Sequence, residues 1–339
     1  VRFWSLRGLA ADVVAASRVS SADAAARLRQ GLNDPDRRVR TEALRALVSY
    51  DDAASLTAII GALKSEDAWL SVSAADPTLS RLKSHATEIV PALVEAGAEN
   101  RPLSLRISAL SPLVTLAPEA ARALATSLLK TSNATAQGAA QQAIRQLDAA
   151  ERAAAAANAG TPPAGRAGGG GRAGGASRPA LTPRPDADYR ALVTRWIVPD
   201  YNGEARPHVV LGTTRGEIEI ELFPGDAPFG VEYLLGVIAS DEIVNTEFGR
   251  VVPNFVAQQR AIRNTGTLRD EVNQRGLLRG TLSWASSGLD TGRPGYTLAS
   301  TPQPHNEGNF TALGRIVSGL DVVDHLELGD RITSARTKK

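Results

Sequence analysis

Residues 151–188 separate two halves of the chain whose hydrophobic residues recur with different periods. The segment consists mainly of alanine, glycine, proline and arginine, as in the run AGRAGGGGRAGGASRP. This composition cannot bury enough apolar surface to offset the entropy of folding, and it is typical of flexible linkers. The sequence therefore predicts a folded domain over 1–150, a linker over 151–188 and a second folded domain over 189–339.

The first domain carries a repeated helical pattern. Leu32–Leu47 has a polar turn followed by Val39, Ala43 and Leu47 on one helical stripe. The same outline returns in three later segments, Leu63–Ala75, Glu99–Leu113 and Leu129–Leu147. The aligned positions are Val39, Leu70, Leu105 and Ala136, which gives steps of 31, 35 and 31 residues. A period of this length predicts an all-α solenoid of helical pairs, with a plain helical bundle as the alternative.

The repeated unit resembles that of the HEAT-repeat family. The residues that carry the resemblance most clearly are Asp34, Val39, Arg40, Ala43 and Leu47. The resemblance implies a scaffold that binds a protein partner. Val1–Leu9 has the pattern of the second helix of an earlier repeat, so we expect this solenoid to be truncated at its N-terminal end.

The second domain changes to the period of β-strands. Glu217–Leu222 alternates between glutamate and an aliphatic residue, as expected for a half-buried antiparallel strand. Asp226 is predicted to be the N-cap of a helix that has Pro228 in its first turn. Short strands separated by glycine and turn residues follow, with one further helix predicted over 319–327. The pattern predicts a mainly-β, closed antiparallel barrel capped by two helices, so that the whole chain is multidomain.

The composition excludes several classes of site. The chain has no cysteine and only four scattered histidines, so neither a metal site nor a thiolate site is predicted, and no cofactor is expected. The glycine run lacks the Gly-Lys-Ser/Thr ending of a P-loop. The linker arginines have no aromatic residues between them for stacking on bases, so no nucleic-acid partner is predicted. No run approaches the roughly 18 apolar residues of a membrane-spanning helix, and a soluble protein is expected.

Six motifs follow one another along the second domain. In order, they are TTRGEIEIELFPGDAP, FGRVVPNFVAQ, LRDEVN, RGTLSWA, ALGRIVSGLDVVD and GDRI. With these motifs in this order, the domain looks like a cyclophilin, a peptidyl-prolyl cis-trans isomerase. The whole chain is similar to bacterial proteins that join a helical-repeat region to such a domain, and this analogy favours the bacterial cell envelope over the cytoplasm.

The resemblance implies a site that needs neither metal nor cofactor. Arg250 would donate a hydrogen bond to the prolyl amide, Phe255 would form the floor of the proline pocket, and Gln258 would hold the substrate backbone. Seven further residues would line the bound substrate: Val256, Trp284, Ala285, Ser286, Tyr296, Thr297 and Phe310. The residue types alone leave open a rim ion pair for Arg250 and an ordinary core position for Phe255.

The domain departs from the family pattern along one wall of the pocket. Gly249 stands where the family usually has histidine, and Thr297 stands where it has the pocket aromatic. Trp284, Ser286 and Gly295 replace a methionine, an asparagine and a glutamine, and part of the wall is expected to be refilled by Trp284, Val256, Tyr296 and Phe310. We expect an isomerase of proline-containing protein or peptide clients, with the repeats as a client- or partner-binding scaffold. The alternative is a protein-binding scaffold whose degenerate cyclophilin domain is catalytically weak.

Overall fold

The computed structural model describes residues 2–158, 184–260, 262, 268–286, 288 and 290–338 of the 339-residue chain. The chain divides into two compact units between Gly169 and Gly170. Each unit has its own hydrophobic core, and each is described by itself below.

The described part of the first unit is helical. Its α-helices, numbered α1 to α10, are Arg2–Arg7, Ala11–Ala16, Ser21–Gly31, Arg37–Leu47, Ala53–Leu63, Ala68–Ala74, Ala86–Ala96, Leu103–Leu116, Pro118–Leu129 and Ala134–Asn158. Two short 3₁₀ helices, Pro77–Arg81 and Lys83–His85, lie between α6 and α7. Helices α4, α6, α8 and α10 pack on one another in one layer, and α3, α5 and α7 pack in a second. The predicted solenoid of helical pairs is confirmed.

Aspartates recur at the helix starts of this solenoid because their side chains satisfy backbone N–H groups that have no partner within the helix. The Asp36 carboxylate accepts from the Arg38 amide at 2.9 Å, and the Asp67 carboxylate accepts from the Trp69 amide at 3.0 Å. Asp67 also forms an ion pair of 2.7 Å with Arg37 of the preceding repeat. One residue type therefore both starts a helix and ties neighbouring repeats together.

Helix α10 extends to Asn158, eight residues beyond the predicted end of the first domain. The extension is alanine-rich, and alanine has the highest helix propensity. At the other end, a helix begins at Asp186, just inside the predicted linker. The rest of the predicted linker, 159–183, lies outside the described residues, and the boundaries 151–188 stay a prediction.

The second unit combines eight strands with short helices. Strands β1 to β8 are His208–Thr213, Gly216–Leu222, Phe248–Val252, Val256–Gln259, Thr281–Ala285, Arg293–Ala299, Ala312–Ser318 and Ile332–Lys338. Helices α11 to α14 are Asp186–Leu192, Val198–Tyr201, Pro228–Ala239 and Leu320–His325. A π-helical turn, Val193–Ile197, joins α11 to α12, and a 3₁₀ turn, Pro304–Asn306, precedes β7. Helices α13 and α14 are the two predicted capping helices.

The strands form one antiparallel sheet in the order β3-β4-β6-β5-β7-β2-β1-β8. The two end strands meet through a single bridge between Glu247 and Arg331, reinforced by the Phe248 amide, which donates to the Asp330 carbonyl at 2.8 Å. The mainly-β antiparallel fold is confirmed. The predicted closed barrel is instead a half-barrel, since β3 and β8 are the two ends of the sheet and form no ladder with each other; the isolated bridge and the backbone hydrogen bonds around it are the links between these ends among the described residues.

Strand β2 shows why the sheet has one buried face. Its aliphatic residues Ile218, Ile220 and Leu222 are fully buried in the core of the second unit. Its glutamates point outward and pair with cations of nearby strands, as Glu221 does with Arg315 of the adjacent β7 at 3.1 Å and Glu217 does with Arg336 of β8, on the far side of β1, at 2.8 Å. The period-2 alternation read from the sequence is confirmed.

The N-terminus of α13 is capped by a residue that is distant in sequence. The prediction of Asp226 as N-cap is wrong, since the N-cap position is Ala227 and the Asp226 carboxylate pairs with Arg275 at 2.8 Å. Glu271 takes over the role: its two carboxylate oxygens accept from the Phe229 amide at 2.9 Å and the Gly230 amide at 2.7 Å. No local pattern around Pro228 signals this long-range cap.

Glu271 should make the stability of the second unit depend on pH. Burial raises the pKa of Glu271 from 4.5 to about 7, against the opposing effect of its two amide donors. Between these values the folded state keeps a proton that the unfolded state has lost, so stability falls as the pH rises from 4.5 to 7. Compared with the wild type, Glu271→Gln should lack this part of the pH dependence. Melting temperatures of both proteins over this range test it; a difference that does not change with pH contradicts it.

Candidate functional site

The β3–β4 hairpin brings Arg250, Phe255 and Gln258 together. Arg250 and Gln258 are directly opposite each other in the ladder, and Phe255 lies in the turn between the strands. The turn is made possible by Asn254, which is fully buried and has φ of 57°, a conformation that asparagine tolerates better than most residues. The Arg250 guanidinium carbon lies 5.4 Å from the Phe255 ring centroid, within the range of a cation–π contact.

Arg250 is a cation that forms no ion pair with the described residues. Among the described residues, no carboxylate forms an ion pair with its guanidinium, and the residues outside the described ranges include no aspartate or glutamate. Its side chain reaches the surface, but partial burial of the guanidinium lowers its pKa. An arginine remains protonated even so. The rim ion pair that the sequence left open for Arg250 is therefore not formed within the described part of the chain.

The Phe255 ring has a second neighbour on the side of the 3₁₀ turn. The His305 ring stacks on it with centroids 5.8 Å apart and an angle of 24° between the planes. The Phe255 carbonyl accepts from the Ser300 amide at 3.0 Å and from Gln303 Nε2 at 2.9 Å. Phe255 is half-buried and lies outside the barrel core, so its position is not that of an ordinary core aromatic. Neither Gln303 nor His305 lies in a sequence motif that points to this contact.

A row of polar residues continues from Arg250 across the outer face of the sheet. Gln258 is opposite Thr297 of β6, and Thr297 is opposite Ser283 of β5. Directly opposed residues share one face of a sheet, so these side chains lie on the Arg250 side. The Thr297 and Ser283 hydroxyls are 2.6 Å apart. Val256, two residues before Gln258, belongs to the same face.

Trp284 and Tyr296 lie on the opposite face. Both pack in the interior core, where they are 2% and 3% exposed, and their rings stack with centroids 4.8 Å apart. Tyr233 of α13 meets the Trp284 ring edge to face at 5.7 Å. Burial raises the pKa of Tyr296 well above its usual value. Successive residues of a strand alternate between its two faces. Trp284 follows Ser283 and Tyr296 precedes Thr297, so both rings point inward. The structure does not bring them beside Arg250.

The remaining predicted residues lie around the end of β5 and the start of β7. Ala285 is the last residue of β5, and the Ser286 hydroxyl donates to the Gly288 carbonyl at 2.6 Å within the following loop. Phe310 is half-buried just before β7. Within the described ranges, no hydrogen bond or ring contact joins these three residues to Arg250 or Phe255.

Gly249 leaves space that another side chain fills. A Cβ atom at Gly249 would lie 2.5 Å from Cγ of Arg260, so the arginine crosses the position where a side chain at 249 would begin. Arg260 extends towards Glu247, with a distance of 3.8 Å between the charged groups. A larger residue at 249 would therefore require Arg260 to move.

Neither a metal cluster nor a membrane-spanning helix occurs among the described residues. They contain no cluster of three or more histidine, cysteine or acidic side chains arranged to hold a metal ion. Within the same ranges, every helix is too short or too polar to cross a membrane.

Both units match family models. Residues 208–339 match the model described as cyclophilin type peptidyl-prolyl cis-trans isomerase/CLD, and residues 2–76 match the model of HEAT repeats. A peptidyl-prolyl cis-trans isomerase of Synechococcus elongatus is 33% identical over 135 residues, which are 38% of this chain and 93% of that protein. One from Helicobacter pylori is 34% identical over 38% of this chain and 84% of its own length. Isomerase B of Bacillus subtilis is 32% identical over 36% of this chain and 91% of its own length.

Proposed function

This chain belongs to the cyclophilin-type peptidyl-prolyl cis-trans isomerase family, and on that basis we propose that it catalyses rotation about X-Pro bonds of protein clients at the Arg250 face of the sheet. The observation that carries the proposal is Arg250 itself. A partly buried guanidinium that lies next to an aromatic ring, with no carboxylate partner among the described residues, is available to a ligand.

The reaction is a bond rotation with a high barrier. The amide C–N bond has partial double-bond character, which puts the barrier at about 18–20 kcal/mol. For an X-Pro bond, uncatalysed exchange takes tens to hundreds of seconds. Rotation breaks no covalent bond, so a catalyst has to stabilise only the twisted amide. The proposed mechanism therefore requires no nucleophile and no proton transfer.

In the proposed mechanism Arg250 supplies that stabilisation. Twisting the amide localises a lone pair on the prolyl nitrogen, so an N–H donor directed at the amide interacts more strongly with the twisted state than with the planar one. Arginine suits this role because its planar guanidinium carries five donors and a permanent charge. Partial burial strengthens the effect, since a charge interacts more strongly where less water screens it.

The neighbouring residues are proposed to bind the substrate. Phe255 offers apolar surface to the proline ring, and Val256 and Thr297 lie on the same side of the sheet. The Gln258 amide, directly opposite Arg250, can donate to and accept from the peptide backbone of the client. Trp284 and Tyr296 are given no contact with the substrate in this proposal; they fix the positions of β5 and β6 from inside the barrel.

The helical repeats are proposed to bind a protein partner. Helical-repeat solenoids present extended surfaces suited to binding other proteins. We therefore assign to the first unit the recruitment of proline-containing clients, or of a protein that delivers them, and to the second unit the isomerisation.

The proposal is tested by exchange NMR on a short peptide with one X-Pro bond and substoichiometric full-length protein. We expect cross peaks between the cis and trans forms of the peptide at mixing times far too short for uncatalysed exchange. Peptide binding without exchange would instead favour the alternative function, a protein-binding scaffold whose cyclophilin domain is catalytically weak. The residue that supports this alternative is Thr297, which stands where the family has an aromatic ring.

A further inference from the structure

The segment that follows β6 is fixed to the turn that carries Phe255. The Ser300 amide and the Gln303 side chain both donate to the Phe255 carbonyl, so two residues of this segment hold one backbone atom. The segment then forms the 3₁₀ turn that carries His305, whose ring stacks on Phe255. The backbone and the ring of Phe255 are therefore both in contact with the same segment.

Gln303 is the centre of this connection. It is 7% exposed, and both ends of its side-chain amide are used. Nε2 donates to the Phe255 carbonyl at 2.9 Å, and Oε1 accepts from Asn306 Nδ2 at 2.9 Å. Its backbone is held too, since the Gln303 amide donates to the Leu277 carbonyl at 2.8 Å, and the Gln303 carbonyl accepts from the Asn306 amide at 2.9 Å.

We propose that Gln303 is a positioning residue that holds His305 against Phe255 and thereby sets the affinity of the site for proline peptides. One end of its amide fixes the Phe255 backbone and the other fixes the turn around His305. His305 is exposed, and an exposed side chain loses conformational entropy when it stays in one stacked position. A fixed turn reduces the part of this entropy cost that comes from the backbone. With His305 held in place, the Phe255 ring keeps one defined orientation beside Arg250. This inference rests on the proposed function, because it concerns the same site.

The test compares full-length wild type with Gln303→Met, which keeps the length of the side chain but removes both hydrogen bonds. Losing hydrogen bonds of this kind should raise KM for a proline peptide about fivefold. The kcat should change less than twofold, since Arg250 is untouched. The His305 ring protons, identified by their loss in His305→Ala, should also lose the shift that the Phe255 ring imposes on them.

A double-mutant cycle shows whether Gln303 acts through His305. If it does, Gln303→Met/His305→Ala should have the same KM as His305→Ala alone. His325→Ala is the matched control, because His325 is an exposed histidine on α14 whose hydrogen bond within the described residues is local, to the Asp321 carbonyl; its KM should equal that of the wild type.

Several results would overturn the inference. They are fully additive effects in the cycle, an unchanged KM in Gln303→Met, and an unchanged His305 resonance. If the wild type itself does not accelerate exchange, the proposed function fails. The His305 resonance and the peptide affinity then still test the role of Gln303, with Kd measured in place of KM.

Discussion

Arg250→Ala is expected to lower kcat/KM for a proline peptide at least tenfold, while the melting temperature of the chain changes little. Tenfold corresponds to about 1.4 kcal/mol of barrier. Hydrogen bonds to charged groups contribute about 1.5–3 kcal/mol. One hydrogen bond from Arg250 to the prolyl amide of the bound peptide is therefore enough to account for this difference. Stability should be nearly unaffected, because the Arg250 side chain reaches the surface and has no ion pair to lose within the described residues.

Two further variants sharpen this result. Arg250→Lys keeps the charge but loses the planar array of donors, so its activity should lie between those of wild type and Arg250→Ala. Arg336→Ala removes a surface arginine that pairs with Glu217 on a distant part of the sheet, and it should leave activity unchanged. Equal activity in wild type and Arg250→Ala would remove Arg250 from the mechanism.

Thr297→Phe is expected to tighten proline-peptide binding and raise kcat/KM several-fold. Thr297 is half-buried opposite Gln258, so a ring there would add apolar surface on the side where the peptide is proposed to bind. Apolar contact stabilises by about 25 cal/mol per Å², so each 50 Å² of new contact contributes about 1.2 kcal/mol. The added ring would also exclude water that screens Arg250.

The cost of this substitution lies at Ser283. Thr297→Phe leaves the Ser283 hydroxyl without its 2.6 Å partner, and an unsatisfied buried hydroxyl costs about 1–3 kcal/mol. Thr297→Phe/Ser283→Ala removes both hydroxyls and should recover the melting temperature while keeping the gain in affinity. Titration of peptide affinity together with thermal unfolding measures both effects. No gain in affinity in either variant would show that position 297 does not contact the peptide.

The position of Trp284 bears on what occupies the space of the missing ring at Thr297. If the Trp284 ring refilled part of the wall, as expected from the sequence, Trp284→Met would be needed before a phenylalanine at 297 could fit. Trp284 lies in the interior core, stacked on Tyr296, so it leaves the outer face free. We therefore expect Trp284→Met to lower stability without improving the effect of Thr297→Phe.

Local patterns sufficed for much of the fold and for part of the site. The alternation in β2 predicted its buried face, and the repeated turn-and-helix outline predicted the solenoid. Arg250, Phe255 and Gln258 were named through the resemblance of FGRVVPNFVAQ to a cyclophilin motif, and they lie close in space because they fall within nine residues of one hairpin. These features depend on neighbours in sequence, which is why the sequence could show them.

Features that depend on distant residues were not predicted. Glu271 caps α13 from more than 40 residues away, and the two ends of the sheet are linked by the bridge between Glu247 and Arg331, which are 84 residues apart. Gln303 and His305 lie in an irregular segment that has no periodicity to interpret. Tyr296 and Thr297 were both assigned to the pocket, although adjacent residues of a strand point to opposite faces; applying the strand period to β6 would have separated them.

Arg250 is proposed to stabilise the twisted amide of the transition state and to contribute little to binding of the peptide in its planar ground state. This proposal is tested most directly by measuring, for wild type and Arg250→Ala, both the peptide Kd and the cis–trans exchange rate of saturated peptide in NMR line shapes. We expect an exchange rate at least tenfold lower in the variant, with a Kd that changes less than about threefold. An unchanged exchange rate at saturation, with the whole loss appearing in Kd, would contradict the proposal.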